Sequence, residues 1–150
     1  MKGAVAIMKE FGVAHEVRVI SAHRTPDAAY EFSRTAKERG LKLILAAAGK
    51  SAHLAGVLAA STIIPVIGVP MKTSDLGGLD SLLSMVQMPA GIPVGTVAIG
   101  DAGAKNAALF AVAILALADP SLSNQLEEYR MCMADEVRKS DARIQDEQSK

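Results

Sequence analysis

The sequence predicts a single α/β domain built on an open parallel sheet with helices on both faces. Its length of 150 residues suits one domain with a substantial core. Apolar runs and amphipathic segments alternate in the order α-β-α-β-α-β-α-β-α-α, which is the rhythm of a parallel sheet. Residues 43–100 carry only four charged side chains, Lys50, Lys72, Asp75 and Asp80. This paucity of charge is expected of strands buried on both faces and of surfaces covered by other subunits.

The first part of the chain predicts two helices separated by one strand. Gly12 is a suitable C-terminal stop for the opening helix, and Thr25 followed by Pro26 is a strong start for the second. Apolar and polar residues alternate between these helices, which predicts a strand. The expected elements are a helix over Met1–Phe11, a strand over Val13–Ile20, a loop over Ser21–Arg24 and a helix from Thr25-Pro26 to about Arg39, stopped at Gly40.

The rest of the chain repeats the alternation with short apolar strands, each followed by a segment rich in turn-forming residues. The expected strands are Leu41–Ala47, Pro65–Val69 and Val94–Ile99. The expected helices are Ala52–Ser61, a short helix capped by Asp80 and ending at Val86, one following Gly100–Gly103 and ending near Leu117, and one over about 120–139, with a polar tail over 140–150. Ligands of such sheets bind beyond the carboxyl ends of the strands, which directs attention to four loops. These are Ser21–Arg24, Ala47–Ser51, Met71–Leu79 and Gly100–Gly103.

Composition excludes several classes of protein. Sixteen Lys and Arg balance sixteen Asp and Glu, which argues against general attraction to nucleic acid or to acidic membranes. The opening residues contain no signal-peptide run, and the apolar stretch Ile63–Val69 is too short to cross a bilayer. Cys132 is the only cysteine, so no internal disulfide can form. We expect a cytoplasmic protein with neither a nucleic-acid nor a membrane partner.

His23 is the strongest catalytic candidate. It lies between a predicted strand and a predicted helix, and imidazole titrates near neutral pH, as a proton shuttle requires. The neighbouring Arg24 offers a fork for carboxylate or phosphate, and the helix start at Thr25 offers free backbone N–H groups. The alternative, a surface-loop histidine beside a solvated arginine, stays open on local sequence alone.

The segment Ala46–Ser51 ends like a phosphate-binding P-loop but lacks its first glycine, because Ile44 occupies that position. We interpret it instead as a small-residue turn whose backbone approaches a ligand, or as a plain strand–helix connection. His53 follows in the first turn of the next helix, where a histidine is more often a packing or capping residue than a catalyst. The three histidines and the cysteine show no metal-ligand spacing.

Several segments taken together resemble the PurE family. They are Ser21–Asp27, Ala48-Gly49 with Ala52-His53-Leu54, Leu79–Thr96 and Ala98-Ile99-Gly100. The resemblance extends to about Leu117, and the third segment is highly specific. The pattern is similar to that of the bacterial-type (class I) 5-(carboxyamino)imidazole ribonucleotide mutases of purine biosynthesis.

The resemblance implies a flavodoxin-like three-layer α/β/α fold and a homo-octamer with active sites at subunit interfaces. It implies that a carboxylate moves from the exocyclic nitrogen to ring carbon 4 of a ribonucleotide, without a metal or an organic cofactor. His23 is implied to move the protons. The implied substrate-binding residues are Ser21, Ala22, Arg24 (toward the phosphate), Ala48, Gly49, Ser51 and, in a supporting role, His53.

The chain departs from the family pattern in two places. The family begins with a strand and a Gly-Ser-x-Ser-Asp loop that binds phosphate and ribose, whereas Met1-Lys2 aligns just after that loop. We therefore expect a sheet without that first strand, and weak or absent turnover if the protein is physically this short. Lys50-Ser51-Ala52 and Ala55 depart from the residues usual in the mutase branch, and Ala48–Ser51 leans toward a carboxylase that uses carbon dioxide directly. His53-Leu54 and Met88–Thr96 favour the mutase. The carboxylase and a non-catalytic flavodoxin-like binding domain stay open as alternatives.

Overall fold

A computed structural model describes residues 1–148 of the chain. Two compact units are present, one over residues 1–111 and one from Val112 onward. The helices are α1 (Lys2–Glu10), α2 (Pro26–Thr35), α3 (Leu54–Ala59), α4 (Leu79–Val86), α5 (Asp101–Ala116) and α6 (Pro120–Gln148), and the strands are β1 (Ile44–Ala48), β2 (Val66–Pro70) and β3 (Gly95–Thr96). The first unit holds all three strands and the predicted site.

The three strands form one parallel sheet in the order β1-β2-β3. Ile44 of β1 lies opposite Val66 of the central strand, and Thr96 of β3 lies opposite Gly68. Every residue of β2 is buried, whereas β1 mixes buried and half-buried residues. This difference is expected because a central parallel strand is covered on both faces. The predicted open parallel α/β fold is therefore confirmed.

Helices α2, α3 and α4 cover one face of the sheet. A Cβ atom added to Gly68 would lie 3.0 Å from the sulfur of Met85 and 3.5 Å from the Cβ of Ala55, so the helices approach the strand closely at this point. Ala29 and Ala36 bring the α2 region into the same buried cluster. Small side chains at these positions allow this close approach.

Helices α1 and α5 cover the opposite face. Phe110 of α5 and Ile67 of β2 both lie within 4.0 Å of the Cβ position of Gly95. Helix α1 packs beside α5, because Gly3 faces the aliphatic stem of Lys105. The buried residues that the two helices contribute to the first unit are Ala4, Ile7, Met8, Ala104, Ala107, Ala108 and Ala111. The sheet thus lies between two helical layers.

The segment 13–20 does not form a strand, so the prediction of a strand over Val13–Ile20 is wrong. It pairs with no strand of the described chain, and the Val17 and Val19 side chains are 65% and 101% exposed. Alternating apolar and polar residues indicate which side chains share a face, but they do not provide a neighbouring strand. Without such a neighbour the backbone N–H and C=O groups have no ladder to join, and the segment stays irregular.

The second helix is shorter than predicted, and its cap differs. Helix α2 ends at Thr35, and a series of turns replaces the helix predicted to run to Arg39 before the chain reverses at Gly40 (φ +82°). Thr25 does not cap α2 with its side chain; its hydroxyl bonds to the backbone of Ser21 instead. A threonine before a helix can bond either to the first N–H groups of the helix or to the backbone of the preceding turn. Here Thr25 bonds to the preceding turn.

The last helix is longer than predicted. Asp119 accepts hydrogen bonds from the N–H groups of Ser121 and Leu122 (2.9 and 3.3 Å), which caps the helix start as expected. Helix α6 then continues to Gln148, past the predicted end near residue 139. The predicted polar tail over 140–150 is therefore helical as far as residue 148, and residues 149–150 lie outside the described part of the chain. The remaining elements begin and end within a few residues of their predicted bounds.

Candidate active site

The loops that follow the three strands meet at one edge of the sheet. The Met71 N–H donates to the carbonyl oxygen of Ala48 (2.9 Å), which ties the loop after β2 to the end of β1. The Gly100 N–H donates to the carbonyl oxygen of Pro70 (2.8 Å), which ties the loop after β3 to the end of β2. These bonds gather the segments that open α/β sheets use to bind ligands.

Gly78 allows the loops after β2 and β3 to touch. Its φ of +100° lies in the left-handed region that favours glycine. A Cβ atom here would lie 2.7 Å from the side chain of Ile99 and 3.1 Å from the carbonyl oxygen of Met71, so a side chain has no room. Gly78 also occupies the N-cap position of α4, which places Asp80, the predicted cap, in the first turn of the helix instead.

Ser21 and Thr25 close the turn that carries His23 and Arg24. The Thr25 hydroxyl donates to the Ser21 carbonyl oxygen and accepts from the Ser21 N–H, both at 3.0 Å. The Ser21 hydroxyl oxygen accepts the N–H of Arg24 (3.2 Å). Ser21 and Ala22 are half-buried, whereas His23 and Arg24 are exposed. Both hydroxyls therefore shape a turn that presents an imidazole and a guanidinium to solvent.

His23 and His53 form a hydrogen-bonded pair. Nε2 of His23 lies 3.0 Å from Nδ1 of His53, and the rings meet edge to face with 84° between their planes. One imidazole donates the shared proton and the other accepts it. Both side chains are exposed, so the pair is open to a small ligand. The sequence identified each residue separately, but it could not show that side chains 30 positions apart are in contact.

The turn after β1 positions His53. Gly49 packs against the loop after β2, with its Cβ position 3.3 Å from the methyl group of Thr73. Lys50 follows with a left-handed backbone (φ +60°), which is uncommon for a residue with a side chain. The carbonyl oxygen of Ser51 accepts the His53 N–H (2.8 Å), and His53 then stands at the start of α3. The placement of His53 thus depends on the shape of this turn.

Lys50 joins the same turn to the loop after β2 through an ion pair with Asp75, whose Oδ2 lies 2.6 Å from the lysine Nζ. The hydrogen bond with Asp75 raises the pKa of Lys50 above its usual 10.5, and the same bond lowers the pKa of Asp75 below its usual 3.8. Both groups therefore stay charged across the neutral range. Sequence reasoning assigned no role to this pair; its only signal was that the two residues are among the four charges of residues 43–100.

The structure brings the predicted site residues onto two turns that the histidine pair connects. They are Ser21, Ala22, His23 and Arg24 on one turn, and Ala48, Gly49, Ser51 and His53 on the other. Within residues 1–148 Arg24 forms no ion pair, so its guanidinium is available to an anion. In the same residues no group of three or more His, Cys, Asp or Glu side chains could hold a metal ion.

An open parallel sheet with an exposed imidazole pair and an exposed guanidinium near its strand ends is the arrangement of an α/β domain that binds its ligand at the edge of the sheet. Comparison with known proteins makes this assignment specific. A family model described as AIR carboxylase matches residues 1–136, and the chain belongs to that family, the PurE family of the sequence analysis.

Relatives agree with the family assignment over most of the chain. The N5-carboxyaminoimidazole ribonucleotide mutase of Aquifex aeolicus is 59% identical over 127 residues, which cover 85% of this chain and 75% of that protein. The mutase of Escherichia coli K12 is 52% identical and covers 91% of this chain and 81% of its own length. The crystal structure of Treponema denticola PurE matches with a TM-score of 0.83 at 26% identity, covering 95% of this chain and 87% of that one. The flavodoxin-like α/β fold expected from the sequence is therefore confirmed.

The same chain shows no membrane-spanning helix within residues 1–148, since none is both long enough and apolar enough.

Proposed function

We propose that this protein is an N5-carboxyaminoimidazole ribonucleotide mutase of purine biosynthesis. The observation that carries the proposal is the exposed His23–His53 pair at the carboxyl edge of the sheet, in a chain whose relatives bear that name. The reaction moves a carboxylate from the exocyclic nitrogen to ring carbon 4, which gives 4-carboxy-5-aminoimidazole ribonucleotide. We assign no metal and no organic cofactor to the reaction.

His23 is the proton carrier in this proposal. The bond between the exocyclic nitrogen and the carboxylate carbon breaks, carbon dioxide forms, and the nitrogen gains a proton from the His23 imidazolium. Ring carbon 4 then attacks the trapped carbon dioxide and becomes tetrahedral. Neutral His23 removes the proton from carbon 4, which restores the aromatic ring and the imidazolium. One imidazole can do both steps because the proton that it gives to the nitrogen is balanced by the proton that it takes from carbon 4.

The other residues of the two turns bind and enclose the substrate. Arg24 is exposed and forms no ion pair in the described part of the chain, which suits the ribonucleotide phosphate because a guanidinium binds phosphate through two parallel N–H bonds. Ser21 and Ala22 line the site beside it, and Ala48, Gly49 and Ser51 hold the base and the carboxylate through backbone and hydroxyl groups. His53 supports His23 through the hydrogen bond between their rings.

The proposal includes assembly into a homo-octamer in the cytoplasm. Helix α4 and the loop before it leave a set of large apolar side chains exposed, which another subunit of the same chain could cover. They are Leu76, Leu79, Leu83 and Val86. Analytical ultracentrifugation of the purified protein tests this assembly, and a monomer at micromolar concentration would contradict it. The exposed thiol of Cys132 suits a reducing compartment.

An assay with two different substrates distinguishes the mutase from a carboxylase that uses carbon dioxide directly, the activity that the description of the family model names. The purified chain is incubated with N5-carboxyaminoimidazole ribonucleotide without added bicarbonate, and separately with aminoimidazole ribonucleotide and bicarbonate. We expect conversion in the first arm. Conversion in the second arm alone would replace the mutase with the carboxylase. Nucleotide binding by calorimetry with no conversion in either arm would favour a non-catalytic binding domain.

A further inference from the structure

The turn that carries His53 is held from one side by a contact that the proposed reaction does not use. Lys50 reaches across from the turn after β1 to Asp75 in the loop after β2, with Nζ and Oδ2 2.6 Å apart. Both side chains lie mostly in solvent, with 68% and 58% of their surface exposed. Neither group is buried in the core, so the contact contributes little to overall stability.

Lys50 has a left-handed backbone conformation that its contacts must hold in place. A lysine at φ +60° is held in a region that side-chain-bearing residues seldom adopt, and such a conformation persists only where its surroundings hold it. The ion pair holds the side chain, whereas the Ser84 hydroxyl, 3.5 Å from the Lys50 carbonyl oxygen, donates its proton to the nearer Asp80 carbonyl oxygen at 2.7 Å. The turn is thus attached to the loop after β2 through the ion pair.

The loop that carries Asp75 is itself fixed to α4 and can serve as an anchor. The Thr73 hydroxyl donates to the Asp80 carboxylate (3.1 Å), and the buried Ser81 hydroxyl donates to the Met71 carbonyl oxygen (2.9 Å). Two hydrogen bonds therefore hold the residues before Asp75 against the first turn of the helix. Asp75 can therefore position the Lys50 side chain, because hydrogen bonds to α4 fix the loop that carries Asp75.

We propose that Lys50 and Asp75 are a positioning pair that holds the turn bearing Gly49, Ser51 and His53 in its ligand-binding shape. This inference rests on the proposed function, since it concerns the affinity of the same site for its ribonucleotide. The pair touches no reacting atom. Its loss leaves the His23 chemistry intact and loosens the backbone that holds the base and the carboxylate.

Replacing Lys50 or Asp75 tests whether the ion pair positions the ligand-binding turn or only supports the fold. Asp75→Asn and Lys50→Asn each remove one charge, and asparagine tolerates the left-handed backbone at position 50. We expect KM to rise about two- to fivefold in each variant, the size typical of an exposed ion pair, with kcat within about twofold of the parent. Asp75→Glu restores most of the affinity, and the double variant binds no worse than either single one.

Salt and a matched lysine provide the controls. Lys72 lies exposed on the same loop as Asp75 and forms no ion pair within residues 1–148, so Lys72→Ala leaves KM unchanged. In about 1 M NaCl the KM ratio between Asp75→Asn and the parent shrinks toward one, because screening removes the attraction from the parent. An equal rise of KM in Lys72→Ala would assign the effect to general charge and overturn the proposal.

A measurement without substrate keeps the two proposals distinguishable. Amide hydrogen exchange over residues 49–53 is compared between the parent and Asp75→Asn, and we expect faster exchange in the variant. If the parent turns over no substrate, the proposed function fails while this comparison still decides the role of the pair. Identical exchange in both proteins would overturn the positioning role, whatever the activity.

Discussion

The histidine pair predicts a strongly non-additive response when its two members are replaced. His53→Leu removes the ring that bonds to Nε2 of His23 and puts an apolar side chain of similar size in its place. A hydrogen bond to a charged group contributes about 1.5–3 kcal/mol, and about 1.36 kcal/mol corresponds to a tenfold change in rate. We therefore expect kcat/KM to fall about 10- to 150-fold. His53→Asn, which keeps an amide near the position of Nδ1, recovers part of this loss.

Replacing His23, the proposed proton carrier, is expected to lower kcat/KM more than replacing His53. His23→Asn removes general acid–base catalysis, which contributes about 10²- to 10⁴-fold. Because His53 acts through His23, the double variant is expected to be no slower than His23→Asn alone. Steady-state conversion of N5-carboxyaminoimidazole ribonucleotide is measured for the parent and the four variants, and circular dichroism tests whether each variant keeps its fold. Both side chains are exposed, so little core packing is lost.

Two results would refute this reasoning. If the separate losses multiply in the double variant, the histidines act independently and the 3.0 Å contact has no catalytic role. If His53→Leu leaves kcat/KM unchanged, His23 needs no support. The control is His15→Leu, because His15 is also exposed and, among residues 1–148, its side chain bonds within its own segment, through Nδ1 to the Val13 carbonyl oxygen (2.8 Å). Its replacement leaves kcat/KM unchanged.

Three further predictions follow from packing and charge. Met85 is fully buried and Val19 is 101% exposed, so in urea unfolding Met85→Ala costs about 2–5 kcal/mol and Val19→Ala less than about 1 kcal/mol. Arg24→Met raises KM about tenfold or more with little change in kcat, if the guanidinium binds phosphate in ground and transition states alike. The KM ratio between Asp75→Asn and the parent stays constant between about pH 5 and pH 9. Because the pKa of Asp75 is lowered, its carboxylate stays charged until the pH falls below 3.8. Because the pKa of Lys50 is raised, its ammonium stays charged until the pH rises above 10.5, so the ion pair persists between these limits.

Most of the fold could be predicted from the sequence because its signals are local. Gly12 adopts φ +65°, and the Val13 N–H bonds back to the Met8 carbonyl oxygen, as a helix C-terminus with glycine requires. The apolar runs became β1 and β2. The failed strand over Val13–Ile20 had an equally good local pattern, but a strand also needs a partner, and pairing is a property of the assembled sheet.

The residues of the candidate site could be predicted, but their connections could not. Position just before a helix start and imidazole chemistry selected His23, although the strand predicted before it does not form, and the family pattern added His53. The bond between them joins distant segments, so no spacing in the sequence encodes it. Thr25 shows the same limit. Its side chain fits a helix cap, yet the hydroxyl closes the turn of Ser21 because both partners lie within reach and tertiary packing decides between them.

The polar connections explain how a chain with few aromatic residues can still position its reactive groups. Only 3% of the residues are aromatic, so bulky rings contribute little to the walls of the site. The turns are shaped instead by hydroxyls and charges that bond to backbone or to each other, as at Ser21, Thr73 and Lys50. Exposed polar substitutions usually change stability by less than about 0.5 kcal/mol. Loss of substrate affinity in a protein with unchanged thermal stability is therefore the signature that distinguishes a site held by turns from one held by its core.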